Sequence, residues 1–183
     1  EVEILDDISS YMKAFEECIV SVNISILDLM SETFVDNLKA RAKENPWIKH
    51  KIELEVTETS FVDNFEMFRQ RIEEIREIGF EVAIDDFGTG FSSLDKLFSV
   101  RFDRLKIDRN FMSVIYESKA DYIVLETIID LAQKLDMKIT AEGVESFDQV
   151  LALKHLGISN MQGYYFSKPM LLEDNLTLHN LKE

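Results

Sequence analysis

Cysteine occurs once in the 183 residues, at Cys18, which excludes an internal disulfide framework and fits a reducing compartment. Proline (2) and glycine (6) are scarce and no low-complexity tract interrupts the chain, so no flexible linker is visible and residues 1–183 read as one domain. No apolar run approaches the roughly 18 residues needed to span a membrane. The start lacks the basic, apolar stretch of a secretory signal. A cytoplasmic location is expected, with the parent protein free to be membrane-tethered. Positive charge is short: Lys+Arg number 20 against 35 Asp+Glu, a formal net charge of −15. Affinity for phosphate backbones comes largely from Lys and Arg, so polymeric nucleic acid is not an expected partner. A small anionic ligand remains compatible, since divalent metals can supply positive charge locally. No phosphate-binding Gly-x-x-x-x-Gly-Lys loop occurs. His50, His155 and His179 lie apart from one another and from Cys18, which argues against a thiol–imidazole nucleophile.

What is present is enough apolar material, 46% of residues, for a sizeable core, and it is arranged as alternating helix and strand. Ile4, Leu5, Ile8, Met12 and Phe15 recur at helical spacing, and an apolar strand follows over residues 18–24. Residues 27–43 read as a helix ended by Asn45-Pro46, and residues 52–56 as a short strand. Phe65, Phe68, Ile72, Ile75 and Ile78 form the stripe of a long helix stopped by Gly79. A strand over 80–84 runs into the Gly-rich turn Asp85-Asp86-Phe87-Gly88-Thr89-Gly90. Further strands are expected at 104–107, 137–141 and 160–166, with helices at 92–98, 122–135, 147–156 and 171–181. Strands alternating with helices imply right-handed crossovers and a parallel sheet, either open and doubly wound or closed as a βα barrel.

The polar residues favour the barrel. Each strand ends in polar groups: Asn23 and Ser25, Glu55 and Glu58, Asp85 and Asp86, Lys106 and Asp108, Glu142 and Glu145, and Gln162. In a βα barrel the C-terminal strand ends meet at one mouth, whereas an open sheet uses chiefly the strands beside its switch point. A complete eight-stranded barrel takes about 250 residues, so this chain is short by one or two strands. Carboxylate and amide oxygens suit Mg²⁺ or Mn²⁺. Two such ions a few Å apart can hold both the attacking and the leaving oxygen of a phosphodiester. Each residue also has a plainer reading. Asn23 can merely tie off a strand, and Glu53 with its neighbours suits an alternating strand with one solvated side. Lys106, between Leu105 and Ile107, either faces the barrel interior or snorkels to solvent. Glu142 can cap the following helix.

The run from Asp85 to Leu94 (Asp-Asp-Phe-Gly-Thr-Gly-Phe-Ser-Ser-Leu) resembles the signature loop of the EAL domain family of cyclic di-GMP phosphodiesterases. Five other pieces agree in order and kind: Ser21-Val22-Asn23-Ile24-Ser25, Glu55-Val56-Thr57-Glu58, Leu105-Lys106-Ile107-Asp108, Ala141-Glu142-Gly143-Val144-Glu145, and Gln162-Gly163 with Pro169. The likeness covers residues 7–170. It implies a modified (βα)8 TIM-like barrel of EAL type, here lacking its first one or two strands. It further implies a hydrolase that opens cyclic di-GMP to linear pGpG with Mg²⁺ or Mn²⁺, two ions being expected, in bacterial second-messenger signalling.

By the same resemblance Asn23, Glu55 and Asp85 would be metal ligands, and Asp86 would bridge the ions or bind the second one. Lys106 would hold or activate the attacking water, and Glu142 would be a ligand or the general base. Glu145 and Gln162 would support the site and its ligand. Glu58 would anchor the loop over residues 86–93, which in the family couples the metal site to dimerisation, so a homodimer is expected. Sensory or GGDEF-type domains are expected elsewhere in the parent. The tripeptide Glu-Ala-Leu that names the family does not occur in the sequence. With Glu1 as first residue, the expectation is an N-terminally incomplete EAL domain. A catalytically silent relative that binds cyclic di-GMP or a protein partner is the alternative, and an unrelated metal-dependent barrel enzyme a third. Unpaired sheet edges in a partial barrel would favour association of the isolated chain.

Overall fold

The computed structural model describes residues 18–57, 64–87, 99–114 and 119–171. The first expected helix, Glu58, the stretch 88–98 with the Gly-rich turn and its short helix, and the closing helix over 172–181 lie outside the described residues. Six strands are present among those described: β1 (Val20–Asn23), β2 (Ile52–Thr57), β3 (Glu81–Phe87), β4 (Arg104–Ile107), β5 (Lys138–Ala141) and β6 (Asn160–Met161). They pair in parallel and in chain order, β1 to β6. That sequential, all-parallel order is the wall of an incomplete TIM-like barrel, as the alternation of elements predicts. β1 and β6 each have a single neighbour among the described strands.

The helices are α1 (Ile26–Leu29), α2 (Glu32–Glu44), α3 (Phe65–Ile78), α4 (Asn110–Val114), α5 (Lys119–Lys134) and α6 (Phe147–His155), with a 3-10 turn at Pro46–His50. None of them is long and apolar enough to cross a membrane. The single helix expected over 27–43 is in fact two. Ser31 takes an extended conformation (φ −81°, ψ 126°) and begins α2 afresh, a role for which serine is suited. The 3-10 turn and α4 carry too few residues to show a helical period, and the sequence pattern did not reveal them. The strand expected over 160–166 pairs only at Asn160 and Met161; residues 164–166 form a turn.

The long helix α3 shows the local logic well. Asn64 caps its first turn by accepting the Met67 N–H (3.2 Å). Phe68, Ile72 and Ile75 lie on one stripe and are wholly buried. Gly79 ends it at φ +109°, a conformation costly to any residue with a Cβ. Its outer face carries the Arg69–Glu66 and Arg69–Glu73 pairs, whose exposure makes them worth little.

The strands divide cleanly by face. One face presents Val22, Leu54, Val56, Val82, Ile84, Leu105 and Ile107, all buried in the core with the helices. Alternation then turns Ser21, Asn23, Glu53, Glu55, Asp85, Arg104, Lys106 and Thr140 to the other face, the barrel interior. The hydrophobic core therefore lies between sheet and helices, and the interior is polar.

Candidate active site

The site begins with a break in β3. Ala83 and Ile84 pair regularly with Arg104 and Leu105, but the register shifts before Phe87 meets Ile107. The extra residue is Asp86, at φ +54°, so a β-bulge occupies Asp85-Asp86. In a regular strand, adjacent side chains point to opposite faces. The bulge re-aims Asp86, and the two neighbouring carboxylates come to the same place. The Asp86 N–H also donates to Asp85 Oδ1 at 2.9 Å. One oxygen each of Asp85, Asp86 and Glu142 lie within 4.8 Å of one another. A non-glycine residue held at positive φ costs about 1–3 kcal/mol and is common at functional sites.

Lys106 reaches this cluster from β4. Its Nζ stands 2.7 Å from Glu55 Oε2 on β2, 3.2 Å from Asp85 Oδ1 on β3 and 2.7 Å from Glu142 Oε1 just past β5. The Lys106 side chain is 9% exposed, which excludes the snorkelling reading. Burial opposes charge on Lys106, but hydrogen bonds to Glu142 and Glu55 outweigh it and hold the ammonium above the ordinary lysine range. Glu142 is raised above the usual carboxylate range, by burial first and then by the charges of Asp85 and Glu55, against the pull of Lys106. Asp86 is also raised, by desolvation, by the charges of Asp85 and Asp108, and by a hydrogen bond with Asp108. One cation thus faces four carboxylates, and Glu55 Oε1 is buried with no hydrogen-bond partner among the described residues. An orphaned, buried carboxylate oxygen beside three clustered acids fits a divalent cation held by hard oxygen ligands.

The other candidates stand around this centre. Asn23 is exposed at the end of β1, in register with Glu55. Gln162 is exposed just beyond β6, and its backbone carbonyl accepts the Val144 N–H. Glu145 is exposed, and its carboxylate joins no interaction among the described residues; its N–H donates to Gln149 Oε1 within the capping box of α6. Glu58 lies outside the described residues.

The solvated reading of Glu53 is overturned. Its side chain is 3% exposed and its Oε2 accepts from Arg104 Nε at 2.7 Å. Arg104 Nη1 also donates to Thr140 Oγ1 (3.1 Å), and Ser21 Oγ donates to Glu53 Oε1 (3.3 Å). The sequence carried a signal for this layer: Ser21, Glu53, Arg104 and Thr140 each stand two residues before a candidate on the same strand or just past its end, the spacing of one sheet face. Asp108, read from the sequence as a strand-end polar group, was given no role there. It is buried, accepts the Asn110 N–H at 2.9 Å, and faces Asp86.

Gly143 fixes the exit of Glu142 from β5. It sits at φ +67°, and a Cβ there would lie 2.2 Å from Arg109 Cβ and 3.0 Å from Arg109 Cα. Gly143→Ala is expected to lower stability by about 1–3 kcal/mol from the backbone conformation alone, with further loss as the segment carrying Asp108 gives way. Urea unfolding checks this; a change under about 0.5 kcal/mol, typical of an inconsequential surface site, would contradict it.

The EAL domain family model matches residues 3–169. The chain is 37% identical over 164 residues to the cyclic di-GMP phosphodiesterase NbdA of Pseudomonas aeruginosa, covering 90% of this chain and 21% of that protein. It thus spans about a fifth of the length of such relatives. Among solved structures, the EAL domain of Mycobacterium smegmatis DcpA superposes with a TM-score of 0.81 at 34% identity, over 87% of this chain and 72% of that one. The manganese and cyclic di-GMP complex of Klebsiella pneumoniae BlrP1 superposes at 0.78 and 27% identity, over 87% and 41%.

Proposed function

The chain belongs to the EAL domain family, and from that premise we propose that it cleaves one phosphodiester of cyclic di-GMP to give linear pGpG, with Mg²⁺ or Mn²⁺ as cofactor. The observation that carries the reading is the convergence of Glu55, Asp85, Asp86 and Glu142 on one buried lysine, with Glu55 Oε1 left unsatisfied. Asn23, Glu55, Asp85, Asp86 and Glu142 would hold the metal, two ions being accommodated. When bound, the metal supplies Lewis acidity at the phosphoryl oxygens and lowers the pKa of water.

The chain's own groups divide the remaining work. Lys106 holds its proton too firmly to act as a base. It donates hydrogen bonds, orienting the attacking water and offsetting charge on the phosphoryl group. Glu142, 2.7 Å from the Lys106 ammonium, would serve as a metal ligand or as the acceptor of the water's proton. Glu145 and Gln162 would contact ligand at the rim, and Glu58 would anchor the loop that follows Asp86. The domain would act as a homodimer within a multidomain signalling protein.

The test is incubation of the intact protein with cyclic di-GMP and Mg²⁺ or Mn²⁺, with products separated by chromatography. Accumulation of pGpG that stops on adding EDTA is the expected result. Binding of cyclic di-GMP without product under either metal would replace this reading with the silent receptor.

Metal uptake carries its own pH signature. Asp86 and Glu142 must both be ionised to act as ligands, and both hold protons more tightly than ordinary carboxylates. Without metal, stability tied to their neutral forms is greatest at low pH and is lost as pH rises through their raised range. With metal, the balance reverses. Mn²⁺ affinity measured by calorimetry is therefore expected to be weaker at pH 5 than at pH 7.5, with proton release on binding. A flat profile would remove both carboxylates from the ligand set.

A further inference from the structure

We infer that the buried Glu53–Arg104 pair is a positioning layer that sets the geometry of the Lys106 cluster one pleat above it. The inference rests on the metal-centre reading given above. Each member of the layer stands two residues before a member of the site, on the same strand or just past its end: Ser21 before Asn23, Glu53 before Glu55, Ala83 before Asp85, Arg104 before Lys106, Thr140 before Glu142. The site is thus repeated one step lower as hydroxyl, carboxylate, methyl, guanidinium and hydroxyl.

Geometry makes the lower layer rigid. Arg104 starts on β4 and reaches Glu53 on β2, crossing β3. Strands two apart are about 9.5 Å distant, so only a long side chain spans the gap. The β3 residue in register with Arg104 is Ala83, the smallest side chain on that face. Lys106 makes the same crossing above, to Glu55 on β2 at 2.7 Å, with Asp85 on the way. Arg104 then ties β5 through Thr140 Oγ1, and Ser21 ties β1 to Glu53. Three strands are linked directly by the planar guanidinium, which fixes both distance and direction, and β1 joins them through Glu53. Glu53 and Arg104 face little solvent (side chains 3% and 11% exposed), and among the described residues their side chains bond to each other, to Ser21 and to Thr140. What they control is the spacing of β2 and β4, and with it the placement of Glu55 and Lys106.

The test is the double substitution Glu53→Leu with Arg104→Met in the intact protein, which replaces the buried pair by apolar groups of similar volume, an exchange that proteins often tolerate. The expected variant melts close to the wild type yet binds Mn²⁺ about 10- to 100-fold more weakly, as when support for metal ligands is removed. Its kcat falls while KM for cyclic di-GMP stays level. Thr140→Val, which removes only one acceptor of Arg104 at constant volume, is expected to give a smaller loss in the same direction. It also decides the matter should the double variant fail to fold. Arg104→Lys, which keeps charge without the fork, is not expected to restore the wild-type values. A crystal structure of the variant gives a metal-independent reading, with Lys106 Nζ displaced from its 2.7 Å contact with Glu55. Should the wild type itself bind no Mn²⁺, the metal-centre reading fails and this structure alone decides. An unmoved Lys106, or Mn²⁺ affinity and kcat within twofold of wild type in a folded variant, overturns the proposal.

Discussion

Replacing Lys106 with methionine is expected to lower cyclic di-GMP hydrolysis by about 10²- to 10⁴-fold, the range for a positioned group that handles protons or charge in the transition state. The methionine fills similar space but offers no hydrogen bonds to Glu55, Asp85 or Glu142, each of which now meets the ammonium within 3.2 Å. The same change acts on stability. Removing one partner of a buried ion pair costs about 3–5 kcal/mol, because the remaining charges stay buried and uncompensated. Here three carboxylates would be left facing one another.

The loss should depend on metal. In EDTA the variant is expected to unfold at lower urea than the wild type, and Mn²⁺ is expected to recover much of the difference by supplying the missing positive charge. The wild-type contribution of Lys106 also has a defined pH window. Its ammonium is raised above the unfolded value, so the stabilisation is complete below about pH 10.4 and is lost as pH rises through the higher native value. Parallel urea titrations of wild type and Lys106→Met, with and without Mn²⁺, check the argument. Equal destabilisation in both conditions would mean that lysine and metal do not share the carboxylates.

Replacing Glu53 alone with leucine is expected to be the most damaging single change outside the cluster, at about 3–5 kcal/mol. Arg104 would be left with a guanidinium 11% exposed and only Thr140 as acceptor. In a chain of this length that corresponds to a fall in melting temperature on the order of 10 °C. Adding Arg104→Met to Glu53→Leu should recover much of that loss, since the buried charge goes with it. A double-mutant cycle followed by thermal unfolding measures the coupling directly. Additive losses would mean that each side chain acts through separate contacts.

The sequence by itself determined the fold class and named the residue types that gather at the strand ends. Segments apolar at every second residue, such as Ile52–Thr57, and the 3.6-residue stripe of Phe68, Ile72 and Ile75 specify strand and helix through local periodicity. Their strict alternation leaves a parallel sheet as the outcome. Asp85-Asp86 and Lys106 were legible because charged groups at the ends of apolar strands are costly without a partner. Short elements were not legible. The 3-10 turn at Pro46–His50 and the break at Ser31 depend on one or two backbone dihedrals that leave no period.

Only the tertiary structure decided which face of each strand turns inward. Alternation says that Lys106 and Leu105 oppose each other but not which one meets helices; the packed helices settle that by taking the apolar side. Register decided the rest. The bulge that brings Asp86 beside Asp85, and the reach of Arg104 to Glu53 across 51 residues of chain, arise from how β2, β3 and β4 align. Those alignments are long-range, and a charged residue in a local window reads the same whether its partner is water or a guanidinium two strands away. The polar interior is therefore written in the sequence as a set of residue types, while their pairing exists only once the strands are side by side.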